Sequence, residues 1–313
     1  MNKLKLIIIL FFLIFFSFLN STISEEVLIK FKIDNEIVTN LDIINEENYL
    51  ISLNNNLRNI SKNNLKELAK KSLIREKIKK KELLKYFDFK KANQFMNKVV
   101  AELYQKLNFK NKDEFKIYLS NFNLKLKDVN EKLKIETLWN QLIFDKFNSQ
   151  VTIDAKKIEE NLKKQLLHNK NYIEKYNLSE IFYKLEANEN LTNKNNLILN
   201  SIKNNGFQNT ANLFSLSDSS KFGGNIGWID KTQLNEKIVA EINQIKSGQL
   251  TNPIEINNGF LILKINKKEK IEKKINFEEE LNKLIALEKN NLLNQFSLIY
   301  FNKVKQNIYI SEK

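Results

Sequence analysis

Side-chain chemistry in proteins draws on a few residue types, and this chain is short of two of them. Its 313 residues include one histidine, His168, and no cysteine. A zinc site of the usual kind, a thiol nucleophile and a disulfide framework are therefore excluded. A histidine-based catalytic triad could use only His168. That residue stands in LLHNKN, rich in lysine and asparagine, and reads as a surface position. No glycine-rich phosphate loop is present. The unusual feature is the placement of glycine. In KFGGNIGWIDKTQL, residues 221–234, Gly223, Gly224 and Gly227 fall within five positions and lead into Trp228. Five of the six glycines and the sole proline, Pro253, lie between residues 223 and 259. Unusual backbone geometry is concentrated there.

The elements around this stretch can be read from period and punctuation. SEIFYKLEA reads as a strand, LTNKNNLILNSIKNN as a helix ending at Gly206, and FQNTANLFSLS as a short helix running into a loop. Glu236 to Lys246 reads as a helix closed by Gly248. TNPIEINNGFLILKINKK has the form of a hairpin turning at Asn257-Asn258-Gly259, with Pro253 at its start, where a strand tolerates it. Upstream, VLIKFKIDNEIV alternates apolar and polar residues about an Asp34-Asn35 turn, and Thr39 and Asn40 offer cap oxygens to a helix starting near Leu41. Residues 63–172 are mainly helical, with no glycine or proline to break them. Leu65, Leu68, Ala69, Ser72 and Leu73 share one face; so do Phe95, Val99, Val100, Leu103 and Leu107, and Leu138, Trp139, Leu142, Ile143 and Phe147. These stripes read as core. The tail carries a helical stripe from Phe277 to Ile299, and VKQNIYI then alternates like a strand. A hairpin at one end of the chain and a strand at the other could pair in one sheet, with residues 178–267 inserted as a second domain.

The glycine stretch carries a resemblance. Gly223-Gly224-Asn225-Ile226-Gly227-Trp228, then Gly248-Gln249-Leu250-Thr251-Asn252-Pro253, then Gly259-Phe260-Leu261-Ile262-Leu263, resemble the successive motifs of parvulin-type (PpiC-type) peptidyl-prolyl isomerase domains. The resemblance implies that the glycines let the central strand of a small antiparallel sheet turn tightly and pack closely, with Trp228 beside it. It implies a proline pocket lined by Ile226, Leu234 and Ile238, and a polar role for Asp218 in the preceding loop. The two family histidine positions fall at Glu180 and Leu261, so the imidazole pair is absent. Glu180 can accept a hydrogen bond; Leu261 cannot, and is counted here with the substrate-binding residues. If any polar catalysis survives, Asp218 and Glu180 are its candidate catalytic residues. IKFKIDNEIVTNLDI and the final helix and strand are also similar to SurA-type periplasmic chaperones, with one parvulin copy in place of two.

The N-terminus has the three-part form of a secretory signal: Lys3 and Lys5, an apolar run over residues 6–19, and Thr22 and Ser24 before a cut at Glu25. The alternative is an uncleaved anchor. No later segment is apolar enough to span a bilayer, so no stable membrane insertion is expected after cleavage. The expected organisation is a signal peptide over 1–24, a SurA-like helical domain over 25–173, a parvulin-like domain over 174–268, and a C-terminal helix and strand over 269–313 that pack on the helical domain. The fold class is α+β. The formal charge is +14, but the lysines are dispersed. The densest run, KIKKKELLK at 77–85, reads as a solvated helix face, and with export this argues against a nucleic-acid partner. No cofactor is expected. Two functions remain open. One is a periplasmic chaperone that binds unfolded outer-membrane or exported proteins, its isomerase activity weak or absent. The other is a working isomerase acting on X-Pro bonds of exported proteins.

Overall fold

The computed structural model describes residues 26–89, 96–168, 172–186, 188–256, 259–272 and 276–312. The signal-like segment 1–24, Phe95, the Asn257-Asn258 turn and the side chain of His168 lie outside the described residues. In chain order the elements are β1 (Ile29–Ile33), β2 (Glu36–Thr39), α1 (Asn40–Leu53), α2 (Lys62–Leu83), α3 (Met96–Lys106), α4 (Lys112–Ser120), α5 (Leu126–Phe147) and α6 (Ala155–His168). Then follow β3 (Tyr172–Tyr183), α7 (Leu191–Phe214), β4 (Asn225–Asp230), α8 (Glu236–Asn243), β5 (Ile254–Ile256), β6 (Gly259–Glu272), α9 (Phe277–Gln306) and β7 (Ile310–Glu312). The class is α+β.

Strands β1 and β2 form the expected hairpin, with Asp34 at φ 50°, a left-handed value that aspartate tolerates. Thr39 then caps α1: its Oγ1 accepts from the Asp42 amide at 3.2 Å, and the Asp42 carboxylate accepts from the Thr39 amide at 2.8 Å. This reciprocal box satisfies amides that the first helical turn leaves unbonded, a cap contribution of about 1 kcal/mol. Leu65, Leu68, Ala69 and Leu73 of α2 pack under the hairpin with Phe31, Val38 and Leu50. Trp139 of α5 is buried against Tyr300 and Phe301 of α9, and its indole N–H donates to Ser297 Oγ at 2.8 Å. The chain ends meet, because β7 pairs antiparallel with β1, Phe31 opposite Glu312 and Ile33 opposite Ile310. Of the expected strand VKQNIYI only Ile310 is strand: helix α9 runs on to Gln306, and β7 occupies Ile310–Glu312. Val304 also stands four residues after Tyr300, so it continues the helical spacing as well as the alternation.

The second sheet has the order β4-β3-β6-β5, with every neighbour antiparallel. Strand β3 (Tyr172–Tyr183) begins before SEIFYKLEA and ends within it, and β6 (Gly259–Glu272) runs past the end of the expected hairpin TNPIEINNGFLILKINKK. Their outer halves carry alternating lysine and glutamate that obscure the apolar Ile173 and Tyr176 in sequence. The glycine strand β4 is an edge strand, not the central one expected. Strands β3 and β6 are apolar on both faces and take the centre, whereas β4 leaves Trp228 41 % exposed. Helix α7 covers one face of the sheet through Ile198, Phe207 and Ala211, breaking at Gly206 (φ 80°, ψ 163°) as the sequence requires. Helix α8 and the segment leading to it cover the other face through Leu234 and Ile242.

Candidate functional site

Alternation along the two central strands decides what faces the site. On β3, Leu178, Glu180 and Phe182 point to one face. Opposite them on β6 stand Ile265, Leu263 and Leu261. A carboxylate is thus set among leucines. It is satisfied by the loop that crosses above it: the hydroxyls of Ser217 and Ser219 both donate to Glu180 Oε1, the latter at 2.8 Å. The loop is fixed to β3 at other points too. Phe182 N donates to Ser215 Oγ at 3.0 Å, and Leu216 N donates to the Phe182 carbonyl at 2.7 Å.

The glycines let this loop return to the sheet. Gly223 takes φ 67° and ends the short 3-10 turn Asp218–Phe222. Gly224 takes φ 76° and presses on β3, where an added Cβ would lie 2.3 Å from the Glu180 carbonyl oxygen. The Gly224 carbonyl in turn accepts from the Glu180 amide at 2.8 Å. Glycine at 224 is therefore a condition for placing the serine loop over Glu180.

These elements border a cavity of about 540 Å³. Its apolar lining includes Leu178, Phe182, Ile226, Leu234, Ile238, Leu261 and Leu263, and its polar border on this side is Glu180, Ser217 and Asp218. All six residues singled out from sequence lie on this one cavity. Their positions differ in kind. Leu234 and Leu261 are buried, Ile226 and Ile238 half-buried, and Asp218 exposed at the mouth. The opposite wall was not foreseen. It includes Arg75 and Lys79 of α2 and Leu287, Asn291, Asn294 and Leu298 of α9. No sequence signal links residue 79 or 291 to the glycine stretch; only the tertiary contacts do.

Those contacts are polar and specific. Asn54 Nδ2 donates to Asn212 Oδ1 at 2.7 Å, and Asn212 Nδ2 donates to the Ser220 carbonyl at 2.6 Å. Lys221 Nζ lies 2.8 Å from Glu136 Oε1 of α5, and Lys79 Nζ lies 2.5 Å from Glu136 Oε2. Thr232 Oγ1 donates to Glu280 Oε1 at 2.6 Å. Burial works against the charge of Glu136, but Lys221 and Lys79 outweigh it and hold its carboxyl well below the usual carboxylate range. Burial pulls the Lys79 ammonium down, opposed by Glu136 and reinforced by Lys221. One carboxylate thus lies between two ammonium groups, the arrangement that keeps a carboxylate ionised. Among the described residues no group of three or more His, Cys, Asp or Glu side chains is disposed to hold a metal ion, and no described helix is long and apolar enough to cross a membrane.

Residues 177–267 match the family model described as rotamase, PPIC-type PPIASE domain. The chain is similar to the periplasmic chaperone PpiD of Buchnera aphidicola, 41 % identical over 96 residues, which are 30 % of this chain and 14 % of that protein. It therefore spans a small part of that relative's length. A peptidylprolyl isomerase structure, PrsA from Bacillus anthracis, is 18 % identical, covers 75 % of this chain and 93 % of its own, and has a TM-score of 0.29. A structure from the pair PEB4 and Cj1289, described as SurA-like chaperones of Campylobacter jejuni, is 17 % identical, covers 91 % of this chain and 99 % of its own, and has a TM-score of 0.32. The segment from 177 to 267 is a parvulin-type domain.

Proposed function

We propose that this protein is an exported chaperone that holds extended apolar polypeptide, and that its parvulin-type domain binds clients while retaining little or no isomerase activity. The observation that carries the reading is the make-up of the cavity. Its floor is apolar, Leu261 stands where the family has a histidine, and one oxygen of the Glu180 carboxylate accepts from both Ser217 and Ser219. Rotation about an X-Pro bond needs polar groups aimed at the twisted amide, against a barrier of about 18–20 kcal/mol. Binding an apolar side chain needs only the floor.

The proposed division is a helical chaperone part over 25–173 and 269–313, and an inserted parvulin-like part over 174–268. Residues 1–24 are proposed as a signal peptide and the periplasm as the location; the similar protein from Buchnera is itself a periplasmic chaperone. Clients are proposed to be unfolded exported proteins, outer-membrane proteins among them. The test is suppression of aggregation of an unfolded β-barrel protein by the chain lacking residues 1–24. Failure at stoichiometric amounts would sink the reading. A second reading, an active isomerase, is favoured by one observation: Asp218 and Glu180 border the same cavity. Exchange spectroscopy on short X-Pro peptides separates the two. Acceleration that disappears in Asp218→Ala supports the isomerase; no acceleration at high protein concentration supports binding alone.

A further inference from the structure

We infer that Glu136, in helix α5 and outside the parvulin-type segment, is a positioning residue for the pocket loop. The inference rests on the cavity being the binding site proposed above. The loop 217–222 is gripped residue by residue. Ser217 and Ser219 are held from β3 by Glu180. Ser220 is held through its carbonyl by Asn212, which itself accepts from Asn54 of the helical part. Lys221 is held by Glu136. Phe222 packs against the helical core around Tyr49 and Phe115, with the Lys106 ammonium 3.6 Å from its ring centre. Asp218 sits among these anchors and faces the cavity mouth. The sheet therefore holds the near side of the loop, and the helical part holds its far side.

Glu136 is a charged anchor of the far side, and its role is set by geometry. Its two oxygens take one lysine each: Lys221 from the loop and Lys79 from the cavity wall on α2. A single carboxylate thus ties the loop on one side of the cavity to the wall on the other. Removing the charge leaves Lys221 beside Lys79 without the group that holds both, so the loop swings outward and Asp218 goes with it.

The test uses the intact chain with Glu136→Gln, Lys221→Met and the double variant. Amide exchange is read at Gly223 and Gly224, whose N–H groups donate to Ser220 and Ser219 at 2.9 Å, relative to amides in the centre of β6. Each single variant is expected to speed loop exchange about tenfold or more relative to β6, as loss of a hydrogen bond to a charged group implies. The double variant is expected to be no faster than Glu136→Gln alone, because that substitution already removes the Lys221 contact. The affinity for an apolar X-Pro peptide, read by fluorescence anisotropy, is expected to fall in parallel. A merely structural role would speed β6 exchange as much as loop exchange, and that result overturns the inference, as does unchanged loop exchange in a folded variant. If Glu136→Gln does not fold, Lys221→Met decides by the same readout, since that lysine lies in a surface loop and Glu136 keeps Lys79. If the unaltered chain binds no peptide, the proposed function fails, and the exchange arm still decides whether Glu136 sets the loop.

Discussion

Replacing Gly224 by alanine tests the central piece of the site geometry, with Gly227→Ala as its internal control. Both glycines have φ 76°. An L-residue in that region costs about 1–2 kcal/mol, so both variants carry that term. They differ in space. A Cβ at 227 meets nothing within 4 Å, whereas a Cβ at 224 meets the Glu180 carbonyl oxygen at 2.3 Å and the Ala211 methyl at 2.9 Å. Residue 224 cannot back away cheaply, because its own carbonyl accepts from the Glu180 amide at 2.8 Å. Withdrawal leaves that amide unsatisfied, at about 1–3 kcal/mol, and staying in place overpacks the site, at about 1–3 kcal/mol. Gly224→Ala should therefore lose about 1–3 kcal/mol more than Gly227→Ala. With a urea m-value of about 1–3 kcal/mol/M, the midpoints should differ by roughly 1 M. Urea titrations followed by far-UV circular dichroism and tryptophan emission read this directly. Coincident midpoints for the two variants would refute the claim that close approach, rather than backbone conformation alone, requires glycine at 224.

Three further outcomes are expected. The Tyr183 hydroxyl is buried with no hydrogen-bond partner among the described residues, and burial pushes it up to about 12 from the ordinary 10.0; Tyr183→Phe should be neutral or more stable by about 1 kcal/mol in thermal unfolding near neutral pH. Because the folded value is raised, that hydroxyl's contribution is complete below the unfolded value and is lost as pH rises through the folded one, so the alkaline loss of stability should be shallower in Tyr183→Phe. The Glu136 carboxyl is depressed in the fold, with burial outweighed by Lys221 and Lys79; its contribution is present above the ordinary glutamate range and lost as pH falls below it, so urea midpoints measured from neutral to acid pH should fall less steeply in Glu136→Gln. Leu234 is 8 % exposed and packs with Leu178, Ile242 and Leu263; Leu234→Ala should cost about 2–5 kcal/mol and weaken apolar peptide binding, and unchanged affinity in a folded variant would remove the cavity floor from the binding site.

What the sequence alone determined follows from local rules. A chain with six glycines places five of them where the backbone must take values other residues avoid, so the loop around 223–227, the break at Gly206 and the turn at Gly248 were all legible. The Thr39 cap, the β1–β2 hairpin and the apolar stripe of α2 are likewise short-range patterns of capping, alternation and helical period. The residues that the parvulin resemblance picks out border one cavity, and its leucines and isoleucines form an apolar floor. Strand order was not legible. Which of β3, β4 and β6 takes the centre depends on pairing between residues 172 and 272, and the lysine- and glutamate-rich halves of the long ribbon mask its length. The far wall of the cavity was least legible of all. Arg75 and Lys79 of α2 and Asn291 and Leu298 of α9 reach the site only because those two helices, distant in sequence from the glycine stretch, border the same cavity. A lysine at 79 reads as one of several solvated charges on a helix face. Its burial beside Glu136 and Lys221 is decided by three segments meeting in space, and no local pattern encodes that meeting.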